Sequence, residues 1–231
     1  AFNIAEEYQI SVILLTDKQI AEALYTTPPF TGENITLKRG KLITSRKELS
    51  TLKASDRYDP SSPDGISPRW LPGSEAATYC AQGDEHNGEG SVIESSENAI
   101  AQMQKRMKKM EALRASLPEP ELFGSQAPEI LLVGWGSTKS VILDAIKDSR
   151  LSAMSIGYLH YSYMWPMKTE KFLALAAQAK NVILIEGNYG GQLGKLLAQE
   201  SGYNIKNSIL KYDGRPFFID ELVREISAKI S

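Results

Sequence analysis

Two glycine-rich turns, one carboxylate at the end of an apolar run, and one stretch holding a cysteine, two acids and a histidine are where residue type and spacing suggest chemistry in this chain. The first turn, Gly134-Trp135-Gly136-Ser137-Thr138, follows the apolar run Ile130–Val133 and opens a helical pattern. That is where some α/β folds hold a dinucleotide. The fingerprint needs a third glycine where this chain has Lys139, so the match fails. A tight strand-to-helix turn is the simpler reading, although Ser137 and Thr138 could still hold an anion at the helix N-terminus. The second turn, Gly187-Asn188-Tyr189-Gly190-Gly191-Gln192, has the same position after the next apolar run. A nucleotidase phosphate loop would end Gly-Lys-Ser or Gly-Lys-Thr; here Gly194-Lys195 is followed by Leu196, and position 189 is tyrosine. Gly190, Gly191 and Gln192 read instead as a sharp turn that lets a neighbouring chain approach closely. Glu186, at a strand end, is placed like a site residue, and a helix-cap or interface role accounts for it as well.

Cys80, Asp84, Glu85 and His86 form a metal-like group, but it lacks the second Cys or His pair of a structural zinc site. His160 ends an alternating run beside Tyr158 and Tyr161 and reads as a buried or capping histidine. Neither histidine stands with a serine or cysteine in a recognisable nucleophile motif. On these grounds no catalytic, cofactor-binding or metal-ligating residue is assigned.

Three zones must position these residues. In the first, residues 1–9 read as helix and Val12-Ile13-Leu14-Leu15 as a short buried parallel strand. Thr16 and Asp17 offer an N-cap for a helix through Tyr25, which Pro28-Pro29 stops. Ile35, Leu37 and Leu42 suggest an extended segment. The second zone, residues 44–97, is turn chemistry: Ser62-Pro63-Asp64-Gly65, Pro72-Gly73, Asn87-Gly88. A loop of that length is uncommon in a compact domain without a task, and Trp70, Leu71, Tyr79 and Cys80 are too apolar for a typical disordered linker. A helix over 97–116 follows, with Ile100, Met103, Met107 and Met110 as one apolar stripe and a basic, solvated remainder.

The third zone alternates strand and helix. Ile130–Val133, Met154–His160, Val182–Ile185 and Ile205–Lys211 read as strands, the second with one exposed face. Helices after 137, 169 and 191 and a last one carrying Ile219, Leu222, Val223, Ile226 and Ile230 lie between and after them. This predicts an α/β fold: a three-layer, mostly parallel sheet, preceded by the end of a second α/β domain and a long loop region. The expected division is 1–116, a proline-rich linker at 117–128, and a complete domain at 129–231.

Composition excludes several classes. The chain has 231 residues, 42% hydrophobic and 23% charged, and a net charge of −2. No global charge argument favours nucleic acid or an anionic membrane, and no apolar run approaches a bilayer span. A single cysteine, Cys80, excludes an internal disulfide framework and fits the cytoplasm.

Several motifs, in order, resemble the alpha subunit of the 2-oxoacid:ferredoxin oxidoreductases, the 2-oxoglutarate type in particular. They are Ala1–Glu6 with Val12–Asp17, the loop Asp64-Gly65-Ile66-Ser67-Pro68-Arg69-Trp70-Leu71-Pro72-Gly73, Gly83-Asp84-Glu85-His86 with Gly88-Glu89-Gly90, Val133–Thr138, Leu159-His160, Trp165-Pro166 and Glu186–Leu193. Tyr189 departs from the pattern, where methionine is expected in many relatives. The resemblance implies that 129–231 is similar to a transketolase C-terminal domain and that 1–116 is the remnant of a pyrimidine-binding domain whose cofactor residues lie upstream. It implies a holoenzyme with thiamine diphosphate, Mg²⁺ and an iron–sulfur cluster, forming an acyl-CoA and passing electrons to ferredoxin, with none of these cofactors held by this chain. The implied partners are the beta subunit of the same enzyme and a gamma subunit or domain, in an oligomer. The fragment would serve assembly and be inactive alone; the alternative is a stand-alone interaction module without catalysis. Asp64, Arg69, Trp70, Asp84, His86, Gly190, Gly191 and Gln192 are then candidates for a subunit interface or pocket edge. Arg69 could pair with a substrate carboxylate, with a structural salt bridge as the simpler role.

Overall fold

The computed structural model describes residues 1–230. In chain order the named elements are α1 (Phe2–Tyr8), α2 (Lys18–Glu22), α3 (Arg46–Leu49), α4 (Ser96–Ser116), β1 (Glu121–Gly124), β2 (Ile130–Trp135), α5 (Thr138–Ala145), β3 (Ile156–Tyr161), α6 (Glu170–Ala176), β4 (Asn181–Glu186), α7 (Gln192–Ser201), β5 (Asn207–Leu210) and α8 (Ile219–Ile230). They divide into two compact units, one of residues 1–14 and 27–116, the other of residues 15–26 and 117–231. No described helix is long and apolar enough to cross a membrane.

The second unit is the expected α/β fold. Its strands run in the order β1-β3-β2-β4-β5, with β1 antiparallel and the others parallel. Alternation along β2 sorts the core into two layers. Ile130 and Leu132 face Ile142 and Ala145 of α5 and Leu222, Val223 and Ile226 of α8. Leu131 and Val133 face Phe172 and Leu175 of α6 and Leu193 and Leu197 of α7. Helices on both faces explain why the strands read as continuous apolar runs.

Two expectations are corrected here. The stretch 117–128, read as a linker, contains β1, which pairs with β3 from Glu121↔His160 to Gly124↔Gly157. Its prolines flank the strand, where a missing N–H costs no ladder bond. β1 covers the free edge of β3, and helices pack on both of its faces, Ile156 and Tyr158 against α5 and α8 and Leu159 and Tyr161 against α6 and α7, so β3 is buried at every position without the predicted exposed face.

The first unit has no named strand among its described residues. Its irregular chain is packed on α4 through polar contacts. Gln102 donates to Tyr58 O at 3.1 Å, and Lys105 donates to Ser67 Oγ at 2.6 Å. Gly65, at φ +72°, lies so close that an added Cβ would stand 2.3 Å from Lys105 O on α4. Leu42 forms an isolated bridge with Arg69; of the extended segment expected from Ile35, Leu37 and Leu42, only this end pairs among the described residues.

The helix at 96–116 is present, but its buried face is not the one predicted. Gln102, Lys105 and Leu113 are buried, while Ile100, Met103 and Met107 are 58%, 51% and 49% exposed. The neighbouring loop presents backbone carbonyls and a serine hydroxyl to α4, and only polar side chains satisfy them. The apolar stripe is left facing outward.

Residues 12–15 form no strand, and Ile13 and Leu14 are 83% and 77% exposed. A strand needs a neighbour for its N–H and C=O groups, and no described segment pairs with this one. The helix opened by Asp17, whose side chain accepts from Ile20 N–H, ends at Glu22 rather than Tyr25.

Candidate functional site

The helices that follow β2 and β4 pack on opposite faces of the sheet, so the carboxyl ends of these two adjacent strands open a crevice. Open α/β sheets bind ligands at such a switch point. Here it is a cleft of about 890 Å³ lined by both glycine turns, by Lys211–Phe217 after β5, and by Asp17–Ala23.

The anion seats at both helix starts are already filled from within the chain. Glu186, 0% exposed at the end of β4, accepts from the backbone N–H of Leu193 at 3.1 Å and of Gly194 at 3.2 Å. It also accepts from Trp135 Nε1 at 3.0 Å and Asn188 Nδ2 at 2.7 Å. Its negative charge therefore sits on the positive end of α7 and ties the two turns together. At α5 the seat belongs to Asp17, whose Oδ2 accepts from Ser137 N–H at 3.3 Å. Burial works against the Asp17 carboxylate, but the bonds from Ser137 and Ile20 outweigh it and lower its pKa. Gly136, at φ +61°, turns the chain there.

The cations of the cleft are paired as well. Lys211 Nζ meets Glu221 Oε1 at 2.7 Å and Asp213 Oδ2 at 3.1 Å, and Arg215 Nη2 meets Asp213 at 2.8 Å. Asp213 is held down to about 2, first by the Arg215 backbone N–H and then by Lys211. What stays exposed is polar or aromatic: Gln192 at the cleft, and Tyr212 at its edge against Tyr189, ring centroids 4.9 Å apart. Such a cleft can bind through amide and aromatic contacts; it has no aligned acid, base and nucleophile among the described residues.

His160 lies on β3, 6% exposed, with Nδ1 2.8 Å from Tyr158 Oη. Burial first, then Lys139, lowers its pKa to about 4 against the opposing pull of Glu121. The imidazole is therefore neutral in the folded chain between pH 4 and 6.5 and charged in the unfolded chain. Stability must fall as pH drops through that window, on the order of 2–3 kcal/mol for this group. His160→Asn is expected to flatten the wild-type loss of stability between pH 6.5 and 4, measured by denaturant unfolding. An unchanged slope would reject this assignment.

The interface candidates from sequence are scattered. Asp64 is consumed by its own loop, accepting from Lys41 Nζ at 2.7 Å and Ile66 N–H at 3.0 Å. Arg69 pairs with Glu6, the structural role. Trp70, 4% exposed, donates to Ala77 O at 3.0 Å and packs edge-on against Tyr79, so its side chain serves the core of the first unit. His86 packs against Tyr58 with ring centroids 4.3 Å apart and planes tilted by 54°, its Nδ1 facing Asn87 O, and Glu85 pairs with Arg106. Asp84 and Gln192 are exposed, Gly190 is half-buried, and Gly191 is buried at φ +57°. Among the described residues no three His, Cys, Asp or Glu side chains converge as metal ligands would. Sequence reasoning missed the role of Asp17 at Ser137; a helix cap was its visible signal, and its second partner lies 120 residues away.

No family model matches the chain. A protein named 2-oxoacid:ferredoxin oxidoreductase 1, subunit alpha, from Aeropyrum pernix is 32% identical over 231 residues, covering 98% of this chain and 35% of its own length. Its namesake from Sulfurisphaera tokodaii is 33% identical over 229 residues, covering 96% and 34%. A solved structure of the 2-oxoglutarate:ferredoxin oxidoreductase from Magnetococcus marinus, with 2-oxoglutarate, coenzyme A and succinyl-CoA bound, is 28% identical. It superposes with a TM-score of 0.88 over 99% of this chain and 39% of that one. The chain spans about a third of the length of the curated relatives it matches. Along essentially its whole length, the chain is therefore similar to part of the alpha subunits of the 2-oxoacid:ferredoxin oxidoreductases.

Proposed function

We propose that this chain is the assembly part of such an alpha subunit. The whole enzyme would decarboxylate a 2-oxoacid oxidatively, with 2-oxoglutarate as the substrate, form an acyl-CoA and deliver electrons to ferredoxin. The carrying observation is the match over 99% of the chain to a 2-oxoglutarate:ferredoxin oxidoreductase. Thiamine diphosphate, Mg²⁺ and an iron–sulfur cluster belong to that reading, and the residues here do not fit them. The cleft cations Lys211 and Arg215 are neutralised by Asp213 and Glu221, both helix starts are occupied by Glu186 and Asp17, and Cys80 stands as a lone cysteine. No step of the reaction is assigned to this chain. Cofactor chemistry requires reacting groups brought together by assembly, and binding other subunits is the task left to it.

The surface supports that task. Ile100, Met103 and Met107 form an outward apolar stripe on α4, and Ile13, Leu14, Leu24 and Phe30 are also exposed. A contiguous apolar stripe such as the one on α4 marks a surface that another chain covers. Substituting Met103→Glu and Met107→Glu together is expected to reduce co-purification with the beta subunit at least about tenfold, a loss of about 1.4 kcal/mol or more. The melting temperature of the isolated chain should stay unchanged, because both positions are solvent-facing. Undiminished co-purification would sink the stripe as the contact. Calorimetric titration of the chain alone with thiamine diphosphate and Mg²⁺ tests the inactivity; tight binding would contradict it.

A further inference from the structure

The first unit concentrates positive charge in its interior without neutralising it. Lys105, on α4, is 5% exposed, and its Nζ donates to one partner among the described residues, the neutral hydroxyl of Ser67 at 2.6 Å. One turn on, Lys109 Nζ reaches only the backbone oxygen of Gln9 at 3.3 Å. Arg57 donates Nη1 to Gln9 Oε1 at 2.9 Å, and its Nε is buried with no partner among the described residues. Gln9 closes the group by donating Nε2 to Ser67 O at 2.6 Å, so all three cations gather around one glutamine and one serine.

No carboxylate among the described residues lies within ion-pair distance of any of the three. The nearest acid in charge terms is Asp59, and both of its oxygens are engaged by Ser61 at 2.8 Å. Arg106, also on α4, is taken by Glu85. The Arg57 guanidinium lies 4.7 Å over the Tyr58 ring, which compensates part of its charge but none of the lysines'. Burying unpaired ammonium groups is costly, and proteins resolve that cost with a counter-charge or by losing the proton. Arg57 and Lys109 are only partly buried, so the cluster remains open to solvent on one side.

We propose that Arg57, Lys105 and Lys109 form a binding site for a small oxyanion, the phosphate or carboxylate group of a small molecule. The unused donors fit that chemistry: the free Nε of Arg57 and the remaining N–H groups of the two lysines, with Gln9 and Ser67 holding them in place. Burial, followed by repulsion from Lys109 and Arg57, lowers Lys105 to about 8 in the free chain, while Asp59 opposes. A bound oxyanion raises it again. This site is independent of the enzyme reading above and stands or falls separately.

The test is thermal unfolding of the chain in increasing inorganic phosphate, and separately in succinate, at constant ionic strength set with chloride. Beyond half-saturation the melting temperature should rise about 3–5 °C for each tenfold increase in the active anion. Lys109→Gln and Lys105→Met should each abolish that rise. Lys109→Gln, at a partly buried position whose one hydrogen bond is the long contact to Gln9 O, should melt close to wild type in chloride alone, which separates lost binding from a failure to fold. Whichever anion acts at the lower concentration tells whether the natural ligand carries phosphate or carboxylate. No rise with either anion, or an equal rise in both variants, overturns the site.

Discussion

Glu186→Ala is expected to destabilise the α/β unit by about 3–5 kcal/mol, the range for removing one partner from a buried charge-assisted network. The carboxylate is fully buried and accepts four hydrogen bonds, two of them from the first N–H groups of α7. Those N–H groups have no intrahelical partner, and a buried donor left unmade costs about 1–3 kcal/mol. Alanine abandons all the donors at once and also detaches the Trp135 indole, which joins the first glycine turn to the second. Glu186→Gln keeps one oxygen but turns an NH₂ group towards the donors, so it should cost less, about 2 kcal/mol. Urea unfolding reads both, as a lower midpoint with an unchanged slope. A cost under about 1 kcal/mol for alanine would mean that water replaces the carboxylate and that the turns do not depend on it.

Gly65→Ala should destabilise the other unit by about 3–5 kcal/mol, for two separable reasons. At φ +72° a side chain is strained wherever it points. Its Cβ would also collide with α4 backbone, 2.3 Å from Lys105 O and 3.0 Å from Lys109 N, which no rotamer change relieves. Gly73 provides the control. It has φ +84° and nothing within 4 Å of an added Cβ, so Gly73→Ala should cost only the conformational part, about 1–2 kcal/mol. The difference between the two variants, read from denaturant midpoints, measures how tightly the loop is docked on α4. Equal losses would show that the loop is not anchored there.

The α/β unit was legible in the sequence because its strands and helices carry their own periodicity. Val182–Ile185 is a continuous apolar run because helices cover both faces of β4, and Leu222, Val223 and Ile226 recur at the spacing of one buried helix face. The failure of both glycine turns as phosphate loops could also be read directly, since residue identity at 139, 189 and 196 decides it. α4 was legible as a helix, yet its orientation was not. Periodicity finds the apolar stripe of Ile100, Met103 and Met107 but does not say what is available to cover it. In this chain the groups facing α4 are carbonyls and a hydroxyl, so Gln102 and Lys105 turn inward. The strand expected at 12–15 failed for a related reason, because pairing depends on a neighbour and not on the segment alone.

The sequence by itself therefore determined the α/β class, the positions of the turns and the absence of nucleotide fingerprints, all of which are local in the chain. Only the tertiary structure decided that Glu186 and Asp17 occupy the two helix starts at the cleft, and that Arg57, Lys105 and Lys109 meet around Gln9. These partners are separated by 7 to 120 residues along the chain. Electrostatic energy depends on distance in space and on burial, and neither is written in the spacing of residues along the chain.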